Sequence, residues 1–157
     1  MRIGFVTALT NDFDARPLIQ QIASTEVGVE LDLEQAPTIL NTPAGVKRLF
    51  NNGVDACIVF VQSSEEEKMS LALAQEKIVD VEKDFGKYCL VCTVLDEEGN
   101  IEELAGERLK ECLHLLLGVR PEKPVSETPL DMFSTPPGGS SPEFFSPSSG
   151  SGGKPLF

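Results

Sequence analysis

Two apolar runs, Val54-Asp55-Ala56-Cys57-Ile58-Val59-Phe60-Val61 and Tyr88-Cys89-Leu90-Val91-Cys92-Thr93-Val94-Leu95, constrain this chain more than any other feature. A strand with one wet face alternates apolar and polar residues, whereas a run without that alternation is covered on both faces. Neither run approaches the length of a membrane span, and both are rich in β-branched residues, so they predict central strands of a parallel sheet. Arg2 to Leu9 is short, apolar and bounded by Thr10-Asn11-Asp12, and reads the same way. Val29, Leu31 and Leu33 instead alternate with Glu30, Asp32 and Glu34, the mark of an edge strand with one wet face.

Helical patterns separate these strands. Asp12 or Asp14 offers an N-cap to a first helix with Pro17 in its opening turn and Leu18, Ile19, Ile22 and Ala23 as its inner stripe. Pro37 ends the edge strand, Thr38 to Asn41 cross a loop, and Thr42 caps a second helix with Pro43 at its first position. Gly53 supplies the left-handed residue that closes it. Ser64 and Glu67 make a capping box for a third helix that reaches Phe85 and stops at Gly86. Asp96 to Gly99 turn the chain, and Asn100 caps a last helix to Leu117, closed by Gly118.

The order βαβαβαβα predicts a flavodoxin-like, three-layer α/β/α domain over residues 1–118, with a four-stranded parallel sheet in the order 2-1-3-4. From Val119 to Phe157 Pro, Ser and Gly dominate, a composition that packs no core of its own. This C-terminal segment has two readings. It is a disordered extension, or a thread whose anchors Met132-Phe133, Phe144-Phe145 and Leu156-Phe157 dock on a neighbouring subunit or partner.

Charge narrows the partners. The 157 residues carry 25 acidic against 13 basic side chains, a net charge of −12. Such a surface repels a nucleic-acid backbone or an anionic membrane. The start MRIGFVTAL lacks the layout of a signal peptide, and with no apolar span the expected location is the cytoplasm. Of the four cysteines, Cys57, Cys89 and Cys92 lie in strand-like runs. Residues three apart on a strand face opposite ways, so Cys89 and Cys92 cannot chelate one ion together; buried structural thiols are the expectation, and no metal site.

Ligands of such sheets sit beyond the carboxyl ends of the strands, near the point where the strand order reverses. The loops there are Thr10 to Asp14, Pro37 to Thr42 and Gln62 to Glu67. No phosphate-binding glycine loop, HExxH or GxSxG is present. The single histidine, His114, falls about 140° from Leu109 at 100° per residue, on the side of Glu107 and Glu111, which makes it a surface group rather than a catalytic one. Ser64-Glu65-Glu66-Glu67 reads as a helix start rather than a metal site, and Arg108 is one of few basic groups able to meet an anionic ligand.

Several of these stretches resemble one family. Ile3-Gly4-Phe5-Val6-Thr7-Ala8-Leu9-Thr10-Asn11 looks like the first strand and loop of lumazine synthases, commonly IGIVxARFN. Pro37, Pro43, Ala44, Lys47 and Leu49 follow the VPGxFExPxAxKxL pattern of that family, with Ala44 one place early, and Gly53-Val54-Asp55-Ala56 is similar to its YDAV. The archaeal type of riboflavin synthase, a relative with the same fold, resembles the second half better. Its likeness is carried by Glu66-Glu67-Lys68, Ala74-Gln75-Glu76, Lys87, Val94-Leu95-Asp96-Glu97-Glu98, and Leu104-Ala105 with Arg108 and Glu111. Phe13-Asp14-Ala15-Arg16 echoes its Phe-Ala-Arg loop.

The departures sort the activities that the resemblance implies. Thr10 stands where lumazine synthases have the aromatic that stacks on the ring, Thr38 replaces a glycine, and Asn41 replaces the glutamate on the ribityl chain. Gln62-Ser63-Ser64-Glu65 replaces the phosphate loop and its histidine, and Leu104 stands in place of the phosphate-binding arginine. A lumazine synthase acting on a sugar phosphate needs that cradle. Riboflavin synthesis from 6,7-dimethyl-8-ribityllumazine does not, so a transferase of the archaeal riboflavin synthase type is the first expectation. A non-catalytic oligomeric binding or assembly homologue is the second, and a lumazine synthase the third. Phe13, Ile39 and Leu40 would then wall the ligand, with Thr10, Asn11, Thr38, Asn41, Gln62, Ser63 and Arg108 as polar contacts. The resemblance implies rings of five subunits with sites between neighbours, no obligatory cofactor, and a bound lumazine or flavin, with magnesium compatible.

Overall fold

The strands form a four-stranded, all-parallel sheet in the order β2-β1-β3-β4, with the Ala56–Ser63 run buried on both faces. The computed structural model describes residues 1–118; the predicted C-terminal extension and its anchors lie outside the described residues. The strands are β1 (Arg2–Ala8), β2 (Glu30–Ala36), β3 (Ala56–Ser63) and β4 (Tyr88–Leu95). The helices are α1 (Arg16–Ser24), α2 (Thr42–Asn51), α3 (Lys68–Phe85) and α4 (Ile101–Gly118). Single 3-10 turns precede three of the helices, at Ile39–Asn41, Glu65–Glu67 and Asp96–Glu98.

Alternate residues of each strand divide between two cores. Ile3, Phe5, Ile58, Phe60, Cys92 and Val94 pack with Ile19 and Ile22 of α1 and with Leu109, Leu113 and Leu116 of α4. Val6, Cys57, Val59, Val61 and Cys89 pack with Val46, Leu49 and Phe50 of α2 and with Ala74 and Ile78 of α3. Cys89 and Cys92 therefore do face opposite ways. Each fully buried large aliphatic or aromatic side chain contributes roughly 1.5–3 kcal/mol relative to exposure, so both layers are tied firmly to the sheet.

Three local expectations are corrected. Helix α1 begins later than either Asp12 or Asp14 would cap it: buried Ala15 is its N-cap residue, and Asp14 Oδ1 accepts from the Arg16 N–H at 3.1 Å. Thr42 does not cap α2. The 3-10 turn moves the chain entrance back, so Thr38 and Asn41 make the capping box, while the buried Thr42 hydroxyl donates to the Ile39 carbonyl at 2.7 Å. The polar face of β2 is not simply wet, because α2 and β1 bring it cations: Arg2 pairs with Asp32, and Arg48 with Glu34 at 2.7 Å.

Strand β4, expected in the centre from its apolar run, is instead the other edge, with alternate residues only partly buried and Tyr88 exposed, and side chains occupy part of its unpaired backbone. The Cys89 N–H donates to Glu82 at 2.7 Å, the Thr93 carbonyl accepts from Arg108 at 2.8 Å, and the Leu95 N–H donates to Glu98 at 3.0 Å. These groups take the positions a further strand would use.

Candidate site at the carboxyl rim of the sheet

The parallel sheet delivers the ends of β1 and β3 side by side, and the loops leaving them are joined by two amides. Asn11 Nδ2 donates to the Thr7 hydroxyl at 3.0 Å and to the Phe60 carbonyl at 3.3 Å, and its Oδ1 accepts from the Gln62 N–H at 3.1 Å. The Gln62 side chain continues the chain of bonds: Oε1 accepts from the Phe13 N–H at 2.9 Å and Nε2 donates to Asp96 at 2.8 Å. The Phe13 ring meets Phe60 edge-on, with centroids 6.3 Å apart. Thr7 and Gln62 are buried beneath this network. Asn11 and Gln62 thus hold the β1–α1, β3–α3 and β4–α4 connections together, and most of their hydrogen-bonding capacity is used within the subunit.

The other predicted contacts separate into groups. Ile39 is 3 % exposed and belongs to the α2–α3 core, so it supplies no ligand wall. Leu40, next to it, is 53 % exposed, and Thr10, Thr38 and Asn41 are exposed at the same rim. Asn41 Oδ1 accepts from the Thr38 N–H at 3.2 Å and the Thr38 hydroxyl at 2.8 Å, which shapes the turn between them. Ser63 is fully buried, and its hydroxyl is without a hydrogen-bond partner. Arg108 reaches from α4 to the carboxyl end of β4, where it is held by Glu98, at 2.8 and 3.2 Å, and by the Thr93 carbonyl. A guanidinium so neutralised is a poor anion receptor.

The rim also carries acid, with Asp12 exposed and Asp14 held below its ordinary range by the hydrogen bonds of Arg16. No group of three or more His, Cys, Asp or Glu side chains is arranged to hold a metal ion among the described residues, and no helix among them is long and apolar enough to cross a membrane. His114 is exposed as expected; its Nε2 lies 3.6 Å from Glu26.

Three surface grooves are lined by described residues. One of about 550 Å³ runs between α1 and α4, over Leu18, Ile22 and Gly106 with Glu26, Glu103 and Lys110 at its sides. A second, of about 580 Å³, follows β4 and α4 and contains Arg108, Cys92 and Cys112. The smallest, about 290 Å³, lies near Gly86 and Tyr88. The second brings together two thiols that the sequence reading treated separately. The signal was present: Cys112 follows the stripe residue Leu109 by three, which turns it toward the strand face carrying Cys92.

Burial pushes the Cys57 thiol up to about 12 and raises Cys89 as well. Cys92 is raised and Cys112 lowered, each chiefly by the side chain of the other. A scan against models of known protein families finds no match, and a search of curated proteins finds no similar sequence.

Proposed function

We propose that the protein is a riboflavin synthase of the archaeal type, which binds ribityllumazine at the carboxyl rim between neighbouring subunits of a ring, most simply a pentamer. The observation that carries this reading is the surface presented beside the switch point of a 2-1-3-4 parallel sheet. Leu40 and half-buried Phe13 offer apolar area to a flat ring, beside the hydroxyls of Thr10 and Thr38 and the amide of Asn41. On this reading the exposed rim of one subunit is covered by a second, which encloses the ligand.

The reaction moves a four-carbon unit from one lumazine to another, giving riboflavin and a pyrimidine product. Its first requirement is that two flat ligands be held face to face, which turns an encounter into a positioned reaction. A rim stiffened by Asn11 and Gln62 serves that need without contacting the ligand. Incubating the full chain with 6,7-dimethyl-8-ribityllumazine and following riboflavin fluorescence tests the proposal, and absence of product at micromolar protein rejects catalysis.

A second reading, a binding or assembly homologue, is favoured by the inward use of the Asn11 and Gln62 amides and by an acidic rim whose Asp14 is already paired with Arg16. It predicts lumazine or flavin binding by calorimetry without turnover.

A further inference from the structure

Among the described residues, two thiols share one surface groove outside the loops described above. Cys92 projects from β4 into the α1–α4 core and is 3 % exposed, while Cys112 of α4 is half-buried against the same core. Both line the open groove of about 580 Å³ along the sheet edge, with Leu90, Leu95 and Leu115 among its walls and Arg108 beside them. All four cysteines are free. Cys57 and Cys89 are partners across β3 and β4, but they are buried under α2 and α3, away from solvent.

We propose that Cys112 is a peroxide-reactive thiol, and that Cys92 resolves its oxidised form as a disulfide joining α4 to β4. The arrangement has the three parts such chemistry requires: a half-buried thiol, a second thiol lining the same groove, and an opening that admits the oxidant. Cys112 is the more exposed of the two thiols, which makes it the attacking group, and the neighbouring Cys92 side chain lowers its pKa.

In the first step the Cys112 sulfur attacks a hydroperoxide. An S–O bond forms as the O–O bond breaks, and the departing alkoxide takes up a proton to leave as an alcohol. Cys112 is then a sulfenic acid. In the second step the Cys92 sulfur attacks the Cys112 sulfur: the S–S bond forms, the S–O bond breaks, and hydroxide leaves as water with the proton from Cys92. Two thiols and one hydroperoxide give one disulfide, one alcohol and one water. The leucine walls suit an alkyl hydroperoxide as well as hydrogen peroxide.

The experiment uses the full reduced chain, treated separately with hydrogen peroxide and tert-butyl hydroperoxide, quenched with N-ethylmaleimide and mapped by peptide mass spectrometry. The expected product has lost two hydrogens and contains a Cys92–Cys112 cross-link that dithiothreitol reverses, with Cys57 and Cys89 labelled only after unfolding. Cys92→Ser stops at the sulfenic acid, which dimedone captures on Cys112. Should that variant fail to fold, dimedone added to the wild-type reaction must divert Cys112 from the cross-link to the adduct. Unchanged thiols after treatment, cross-links through Cys57 or Cys89, or a dimedone adduct on Cys92 in place of Cys112 would each overturn the proposal.

Discussion

Gly4 shows how closely single atoms are committed in this chain. A Cβ at that position would stand 2.7 Å from Leu49 Cδ1 and 2.8 Å from Cys57 Sγ, so α2 approaches β1 only because the side chain is missing. Gly4→Ala should therefore destabilise by about 1–3 kcal/mol through overpacking, read as a lower urea midpoint with unchanged slope. Asn41 is the next case. Its side-chain oxygen closes the turn onto Thr38, so Asn41→Ala should lose about 1 kcal/mol of stability, while Asn41→Asp keeps the acceptor and most of the stability. If the rim binds lumazine through this amide, calorimetry should show weaker binding in both variants, which separates the ligand contact from the cap. Glu98 is a third. The guanidinium of Arg108 holds its carboxyl below the ordinary 4.5. A carboxylate depressed in the folded state stabilises above its unfolded value and loses that contribution as pH falls through the folded one. The difference in stability between wild type and Glu98→Gln should thus be present at pH 7 and shrink progressively below about pH 4.5, as followed by urea titrations across that range.

At the scale of elements, the strands and long helices were legible because continuous burial and the 3.6-residue period are local properties of the chain. Gly86, with φ +64°, ends α3 where the sequence placed the stop. Ser64 and Glu67 make the expected box, and the Asn100 side chain accepts from the Glu103 N–H at 3.2 Å at the start of α4. The errors fall where a 3-10 turn or a buried residue intervenes before a helix, as at Thr42 and Ala15, since neither has a strong local signature. The roles of Asn11 and Gln62 were illegible for another reason. Most of their bonds join residues 34 to 51 apart in the chain, and no periodic pattern announces a partner at such distances. What read as ligand contacts are, in the subunit, fasteners between connections. Gln62→Leu leaves the Phe13 N–H without its acceptor and Asp96 without its donor. That should cost about 1–3 kcal/mol and speed hydrogen exchange at the Phe13 amide, whereas an unchanged exchange rate would remove the fastening role.

At the scale of the whole molecule, the strand order and the two-sided core followed from the order of elements, because handed crossovers leave few alternatives. The site did not follow in the same way: a rim becomes a pocket only through what covers it, and one chain's sequence does not display its neighbour. Sedimentation of the purified chain at micromolar concentration should give a closed oligomer, and a monomer would remove the proposed intersubunit site. The occupied edge of β4 has its own meaning for the behaviour of many molecules together. At neutral pH the net charge of −12 keeps copies apart, but that repulsion vanishes near the isoelectric point of about 4.4. Glu98, held low by Arg108, is more fully charged there than an ordinary glutamate. In mild acid, therefore, the long-range barrier to association disappears while the local stopper on the sheet still stands: the folded protein should precipitate as amorphous, readily redissolved material, and ordered fibrils should require the lower pH at which the stopper is withdrawn.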